Sequence, residues 1–350
     1  MPTQRFRVDA TRDGLVESTH EVAVAVTDSI GTLVASAGDP DHVTYWRSSA
    51  KPFQALPMVA DGAADRFALG SGAIALACGS HSSEPEHVDL ARRMLAAIGC
   101  TEADLACGPH QPLSSAVHEL ALRSGTMLTP AWSNCSGKHA GMLALARYHG
   151  WPAAGYERAG HAVQERILDE VVRWTGVPRG SVVRGVDGCT TVCFALPLRA
   201  MALAYARLGV SEEPAAVRVR GAMLAHPHLV GGSRRLCTDL MQETGGSVLA
   251  KVGAEGVYSG AWPALGLGLT LKVLDGDMKS AQVALLEVLR QVARTLGVEL
   301  PLDGVAHYAE PVLRNTRQEP TGSLRAAGRL RFHGPGGTHS VPRKHSPGLS

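Results

Sequence analysis

The two ends of the chain carry strand-like segments, and the long middle carries mostly helical ones. Residues 17–26, reading Glu-Ser-Thr-His-Glu-Val-Ala-Val-Ala-Val, and residues 32–36 flank a turn at Asp28–Gly31 and predict an opening hairpin. The signal returns after Gly245 and Gly246, in residues 247–252, 256–261 and 267–274, and is closed by Asp275-Gly276-Asp277. Between these ends Ala, Leu and Met recur at helical spacing in residues 50–60, 86–98, 116–123, 138–149, 162–175, 198–208 and 214–225. A long helix over 278–296 follows the last strand. Strands so far apart must pair with each other to bury their apolar faces, which predicts an α+β fold. One antiparallel sheet is built from both chain ends, with helices on its faces and a mostly helical region inserted. Residues 1–330 then make one unit, with the sheet from about 15–45 and 247–330 and the helical region from about 60–245. Residues 331–350 are rich in Gly, Pro, Ser and His and read as a solvated tail.

The 350 residues suffice for one or two domains with a sizeable core. With 34 Lys plus Arg against 32 Asp plus Glu, the net charge of +2 leaves no basic excess to neutralise a run of phosphates. Nucleic acid is therefore not an expected partner. The uncharged stretch Val257–Leu271 is broken by Pro263 and several glycines, so no membrane-spanning helix is expected. Residues 1–14 carry charges with no apolar run behind them, so no secretory signal is read and the cytoplasm is the expected compartment. Seven cysteines, an odd number, are in a reducing compartment more often buried, reactive or metal-bound than paired.

Lysine is the informative residue type. The chain has 28 arginines and only six lysines, at positions 51, 138, 251, 272, 279 and 344. Where a plain positive charge is wanted this chain uses Arg, so a retained Lys points to an amine that must be able to lose its proton. Ser48-Ser49-Ala50-Lys51 lies between the strand-like residues 42–46 and a helix. If that helix starts near Ser48, Ser48 and Lys51 share one face, and a neutral Lys51 can take the hydroxyl proton. That requires the amine to fall from about 10.4 to nearer 7 or 8. Taken alone, the four-residue pattern is weak and reads more readily as an N-cap followed by an exposed lysine. Asn134-Cys135-Ser136-Gly137-Lys138-His139 sets a thiol and an amine to converge at the mouth of a helix, with His139 turned aside. Asp187-Gly188-Cys189, after the strand-like 181–186, adds a carboxylate and a second thiol. Two thiolates suit a borderline-soft ion such as zinc, and equally they read as buried free thiols. Gly79-Ser80-His81 and Lys251-Val252-Gly253-Ala254-Glu255-Gly256 add a hydroxyl loop and a lysine on a glycine-rich strand.

Together the blocks Trp46–Gln54, Cys78–His81 with Glu84 and His87, Asn134–Met142, Asp187–Cys189, His226-Pro227 with Gly231-Gly232, and Lys251 with Gly253–Val257 resemble the rhizobial-type, thermolabile (class 3) L-asparaginases. The resemblance covers nearly the whole chain and implies a serine β-lactamase-like fold and two Ser/Lys pairs. Ser48 with Lys51 matches the first, and Ser80 with Lys251 the second. It also implies a Zn2+ held by Cys135, Lys138 and Cys189, substrate contacts from Arg47, His139 and Asp187, and a homodimer. The expected reaction is hydrolysis of the side-chain amide of L-asparagine through a serine ester. Three alternatives stand beside it: a cysteine-nucleophile amidohydrolase using Cys135 or Cys189 with His139, a β-lactamase or peptidase on the same fold, and a non-enzymatic amino-acid sensor.

Overall fold

The computed structural model describes residues 5–334. Its strands are β1 (Arg7–Arg12), β2 (Leu15–Asp28), β3 (Leu33–Ala37), β4 (Val43–Tyr45), β5 (Val183–Val186), β6 (Val192–Pro197), β7 (Leu249–Gly253), β8 (Val257–Trp262), β9 (Leu267–Val273), β10 (Val312–Arg314), β11 (Pro320–Ala327) and β12 (Arg331–Phe332). Nine of them form one antiparallel sheet in the order β10-β11-β1-β2-β9-β8-β7, with β3 on β2 and β12 on β3. The long β2 makes this possible. It pairs with β1 along its first half, and along Val22–Asp28 it takes β9 on one edge and β3 on the other. The α+β class and a sheet assembled from both chain ends are as expected.

Five strands carry no signal of their own in the sequence: β1, β6 and β12, together with β10 and β11 inside the expected sheet region 247–330. β1 reads Arg-Val-Asp-Ala-Thr-Arg, too polar to signal a strand, yet the sheet begins there rather than near residue 15. Its Asp9 is buried and stays satisfied by Arg7 Nε at 2.9 Å and Thr19 Oγ1 at 2.9 Å, which is what lets a carboxylate sit in the sheet. β6 is almost wholly apolar and sits within the mostly helical stretch. β12 corrects the tail boundary: residues 331–332 pair with β3, and His333 donates its N–H to Val34 O at 2.8 Å. The rest of the expected tail, 335–350, lies outside the described residues.

Every residue of β7, β8 and β9 is buried, so this part of the sheet is covered on both faces. The helix Leu198–Val210 packs on β2, β8 and β9, and the helix Met278–Leu296 on β1, β8, β9 and β11. The first approaches so closely that a Cβ on Gly268 of β9 would stand 2.1 Å from Ala202 O and 2.3 Å from Ala206 N. Gly268→Ala is accordingly expected to destabilise the protein by about 1–3 kcal/mol, read from the denaturant midpoint.

A second, three-stranded sheet, ordered β4-β6-β5, joins segments distant in sequence. β4 runs into Trp46–Lys51, and the β5–β6 turn carries Asp187–Thr191. Trp46 N–H extends the pairing to Phe194 O at 2.8 Å, and the Trp46 indole stacks on Phe53 at 4.8 Å. Residues 51–59 of the Lys51–Ala60 helix are all buried, so this helix is central to the core, and Pro52 is tolerated in its first turn, where the missing N–H has no intrahelical partner.

Candidate active site

Ser80 lies between two buried amines. Lys51 Nζ is 3.0 Å from Ser80 Oγ and Lys251 Nζ is 2.8 Å from it, with the lysines 1% and 0% exposed. Lys51 also donates to Gly79 O at 2.5 Å and Asn134 O at 3.4 Å, and Lys251 to Val252 O at 2.8 Å. No carboxylate pairs with either lysine among the described residues. Burial, reinforced by the charge of Lys51, lowers the Lys251 amine from 10.5 to about 7.

Ser80 is set by its neighbours. The helix Ser71–Ala77 ends into Gly79, where a Cβ would stand 2.6 Å from Leu229 O. Ser80 N–H bonds Val230 O at 2.8 Å, Ser82 Oγ donates to Gly231 O at 2.9 Å, and Glu84 accepts from Ser233 N at 2.8 Å and Ser233 Oγ at 2.9 Å. The His226–Gly232 block of the sequence is thus the strap that holds the Ser80 loop.

Ser48 occupies a 3₁₀ turn, Arg47–Ala50, ahead of the Lys51 helix, and is half-buried. Its hydroxyl does not bond Lys51: the amine that one-face spacing aims at Ser48 reaches Ser80 instead. Ser49, which no sequence signal marks, fastens the two segments together, its Oγ donating to Lys251 O at 2.9 Å while Tyr205 Oη donates to Ser49 O at 2.7 Å. Arg47 has φ +53, a left-handed conformation that costs a Cβ-bearing residue roughly 1–2 kcal/mol. Arg47 Nε donates to Asp187 Oδ1 at 2.9 Å. Burial opposes ionisation of Asp187, but Lys138, Arg47 and the Gly188 N–H overcome it and hold the carboxyl below its ordinary range.

Behind this ion pair, Cys135, Lys138 and Cys189 converge. Cys135 precedes the helix Ser136–His149, Lys138 is one turn along it, and Cys189 sits on the β5–β6 turn. Lys138 Nζ is 2.9 Å from Cys189 Sγ, and the two thiols are in mutual hydrogen-bond contact. That bond, with the nearby lysines, outweighs burial and holds the Cys135 thiol well below its usual range, while Cys189 is pushed up and retains the shared proton. Two buried sulfurs with a carboxylate beside them fit a zinc ion. Lys138, whose amine burial would lower but Cys189, Cys135 and Asp187 hold above its ordinary range, would join them as a ligand only after losing its proton. All seven cysteines are free thiols. Cys78, fully buried, is pushed up to about 12 by desolvation and is inert by that measure.

His139 does not join the thiols. It is fully buried, with Nδ1 2.6 Å from Tyr156 Oη, and desolvation holds it well below its ordinary value and therefore neutral. No imidazole base serves Cys135 or Cys189 through this residue. A separate histidine group lies beyond the Ser80 loop: His81, His87 and His228 stack with centroids 5.1 and 4.8 Å apart. Glu84, His87 and His228 bring potential ligand atoms within 4.8 Å of one another. Both nitrogens of His87 are already spent, Nδ1 accepting from Glu84 N at 3.1 Å and Nε2 donating to His228 O at 2.9 Å. The trio is a helix cap and not a ligand set.

A hydroxyl set between two buried amines is an arrangement that can move protons to and from a nucleophile. Residues 8–326 match the L-asparaginase II family, and the chain belongs to that family, whose function is of the amidohydrolase type. No curated protein matches the sequence. Among solved structures, Mglu in its native form is similar at TM-score 0.44 and 16% identity, over 78% of this chain and 63% of that one. A beta-lactamase (Mb2281c) from Mycobacterium bovis is similar at TM-score 0.33 and 15% identity, over 78% of this chain and 94% of that one. The chain spans less than two thirds of the length of Mglu. Among the described residues no helix is long and apolar enough to cross a membrane.

Proposed function

We propose that the protein hydrolyses the side-chain amide of L-asparagine, giving L-aspartate and ammonia, with Ser48 as nucleophile. The observation that carries this reading is the Lys51–Ser80–Lys251 chain, in which one hydroxyl bridges two buried amines within 3.0 Å. A serine is a weak nucleophile until its proton has somewhere to go. Lys251, at about 7, is neutral in a large share of molecules near neutral pH. In the resting site Lys51 bonds Ser80 and not Ser48, so Lys51 first gives a proton to Ser80 Oγ as Ser80 hands its hydroxyl proton to Lys251. The freed amine then turns to take the Ser48 proton as Ser48 attacks the amide carbon. The nucleophile must meet substrate, and half-buried Ser48 is more open to it than Ser80, which is 3% exposed. Reversing the relay protonates the departing ammonia, and running it forward again draws a proton from the water that cleaves the ester.

Cys135, Lys138 and Cys189 would hold Zn2+, with Asp187 next to them. Bound there, the ion would supply positive charge that orients the polar head of the substrate. Removing zinc by chelation is expected to raise KM several-fold and change kcat less, with metal content measured on the same samples. A collapse of kcat at constant KM would contradict a positioning role.

Ammonia release from L-asparagine, with L-glutamine in parallel, tests the function. Asparagine is expected to be the better substrate, with glutamine slower, since one methylene is worth about 1–3 kcal/mol of discrimination. Binding of asparagine without ammonia release would favour the sensor reading, and acylation by a penicillin the β-lactamase one. Assembly as a homodimer is part of this proposal and is read from the mass in solution. A cytoplasmic location is a further part of it, read by cell fractionation.

A further inference from the structure

The turn between β7 and β8 carries a charge that the proton relay does not use. Glu255, at its tip, has φ +59, a backbone region that Cβ-bearing residues seldom adopt. Its carbonyl is what is held: Lys272 Nζ, on β9, donates to Glu255 O at 2.7 Å and to Val273 O at 2.5 Å. Lys272 is only 7% exposed, and no carboxylate is within ion-pair distance of it among the described residues. One of the scarce lysines is thus buried to fix a turn carbonyl. From there the Glu255 side chain runs past Gly276, where a Cβ would stand 2.9 Å from its Oε2, and places Oε1 4.0 Å from Arg47 Nη1.

Arg47 and Glu255 are both left-handed and carry opposite charges; Arg47 adjoins Ser48 in the chain, and Glu255 reaches Arg47. Strain at two facing residues points to a site whose geometry matters more than its cost. Asp187 is the other carboxylate on Arg47, but its Oδ1 is committed to Arg47 Nε at 2.9 Å and Gly188 N at 2.8 Å, and its side chain is 11% exposed. The Glu255 carboxylate is 69% exposed and accepts no protein hydrogen bond among the described residues. An α-amino acid brings an ammonium and a carboxylate on one carbon, and it needs an anion and a cation separated by a few ångströms. We propose that Glu255 receives the α-ammonium of the substrate while Arg47 receives its α-carboxylate, and that Lys272 is the positioning residue that presents Glu255. The inference rests on the asparagine reading and extends it to the amino-acid head.

The test compares L-asparagine with succinamate, which keeps the carboxamide and carboxylate and lacks the α-ammonium, in wild type, Glu255→Gln, Glu255→Asp and Lys272→Met. Glu255→Gln is expected to raise KM for L-asparagine by about 10–100-fold, the range of one charge-assisted hydrogen bond, with a much smaller change in kcat. Its preference for L-asparagine over succinamate should fall at least tenfold. Glu255→Asp should recover part of that preference, and Lys272→Met should lower it less than Glu255→Gln does. Equal losses on both compounds, or an undiminished preference, would overturn the proposal. Calorimetric binding of the same two compounds gives the same comparison without turnover. Wild type that binds L-asparagine in preference to succinamate, loses that preference in Glu255→Gln and releases no ammonia would refute the hydrolase reading and sustain the role of Glu255.

Discussion

Ser48→Ala is expected to lose at least about 10⁴-fold in kcat/KM for L-asparagine while keeping its fold and the same zinc content as wild type. The size follows from the role. A residue that supplies the attacking atom cannot be replaced by its neighbours, whereas a group that only moves a proton contributes typically about 10²–10⁴-fold. The fold should survive, because Ser48 is half-buried and its hydroxyl bonds no other group among the described residues, unlike Ser49, whose Oγ is tied to Lys251 O. Thermal unfolding and zinc content on the same preparation separate loss of the nucleophile from loss of structure. Full activity in a folded Ser48→Ala protein would move the nucleophile to Ser80 or to a thiol.

Lys251→Met should cost about 10²–10⁴-fold and also change the shape of the pH profile. Wild-type kcat/KM is expected to rise as pH increases through about 7, where Lys251 gives up its proton and becomes able to accept the one relayed from Ser48. The methionine variant keeps the bulk of the side chain but has no amine to titrate, so that rise should vanish. Stability obeys a related sign. The folded-state value is depressed below the unfolded value of about 10.4, so between about 7 and 10.4 the unfolded chain binds more protons. This group's contribution is therefore full above the upper value and lost as pH falls to the lower one. Denaturant midpoints measured across that window should rise with pH more steeply in wild type than in Lys251→Met. Equal slopes, or a pH–rate profile identical in both proteins, would contradict a neutralisable Lys251.

Much of this frame was legible because its signals are local. The helix over 278–296 has the predicted bounds, and β2, β3 and β7–β9 fall where alternation and glycines placed them. β1 was hidden because its polar residues are satisfied across strands, which only the folded sheet reveals. β6 was hidden because a fully buried strand shows neither period. At the site, lysine scarcity singled out Lys51, Lys138 and Lys251, and all three are buried and committed to polar partners. What spacing did not disclose was which hydroxyl Lys51 serves. Ser48 and Lys51 share a face only if the helix is continuous, and here a left-handed Arg47 and a 3₁₀ turn precede it. The groups that capture the amine, Gly79 O, Ser80 Oγ and Asn134 O, come from two other segments. Glu255 went unread for the same reason, since its anchor, Lys272, is a strand residue whose burial depends on the completed sheet.

The proposed reaction passes through a serine ester formed from L-asparagine. The most direct measurement is acid quenching of the wild-type reaction in its first turnovers, followed by peptide mapping for a residue that has gained one aspartyl group. The expected result is that group on the peptide containing Ser48, absent from Ser48→Ala and absent when L-aspartate replaces L-asparagine. An aspartyl group on Cys135 or Cys189, or steady ammonia release with unmodified serines in a reaction shown to be limited by deacylation, would contradict it.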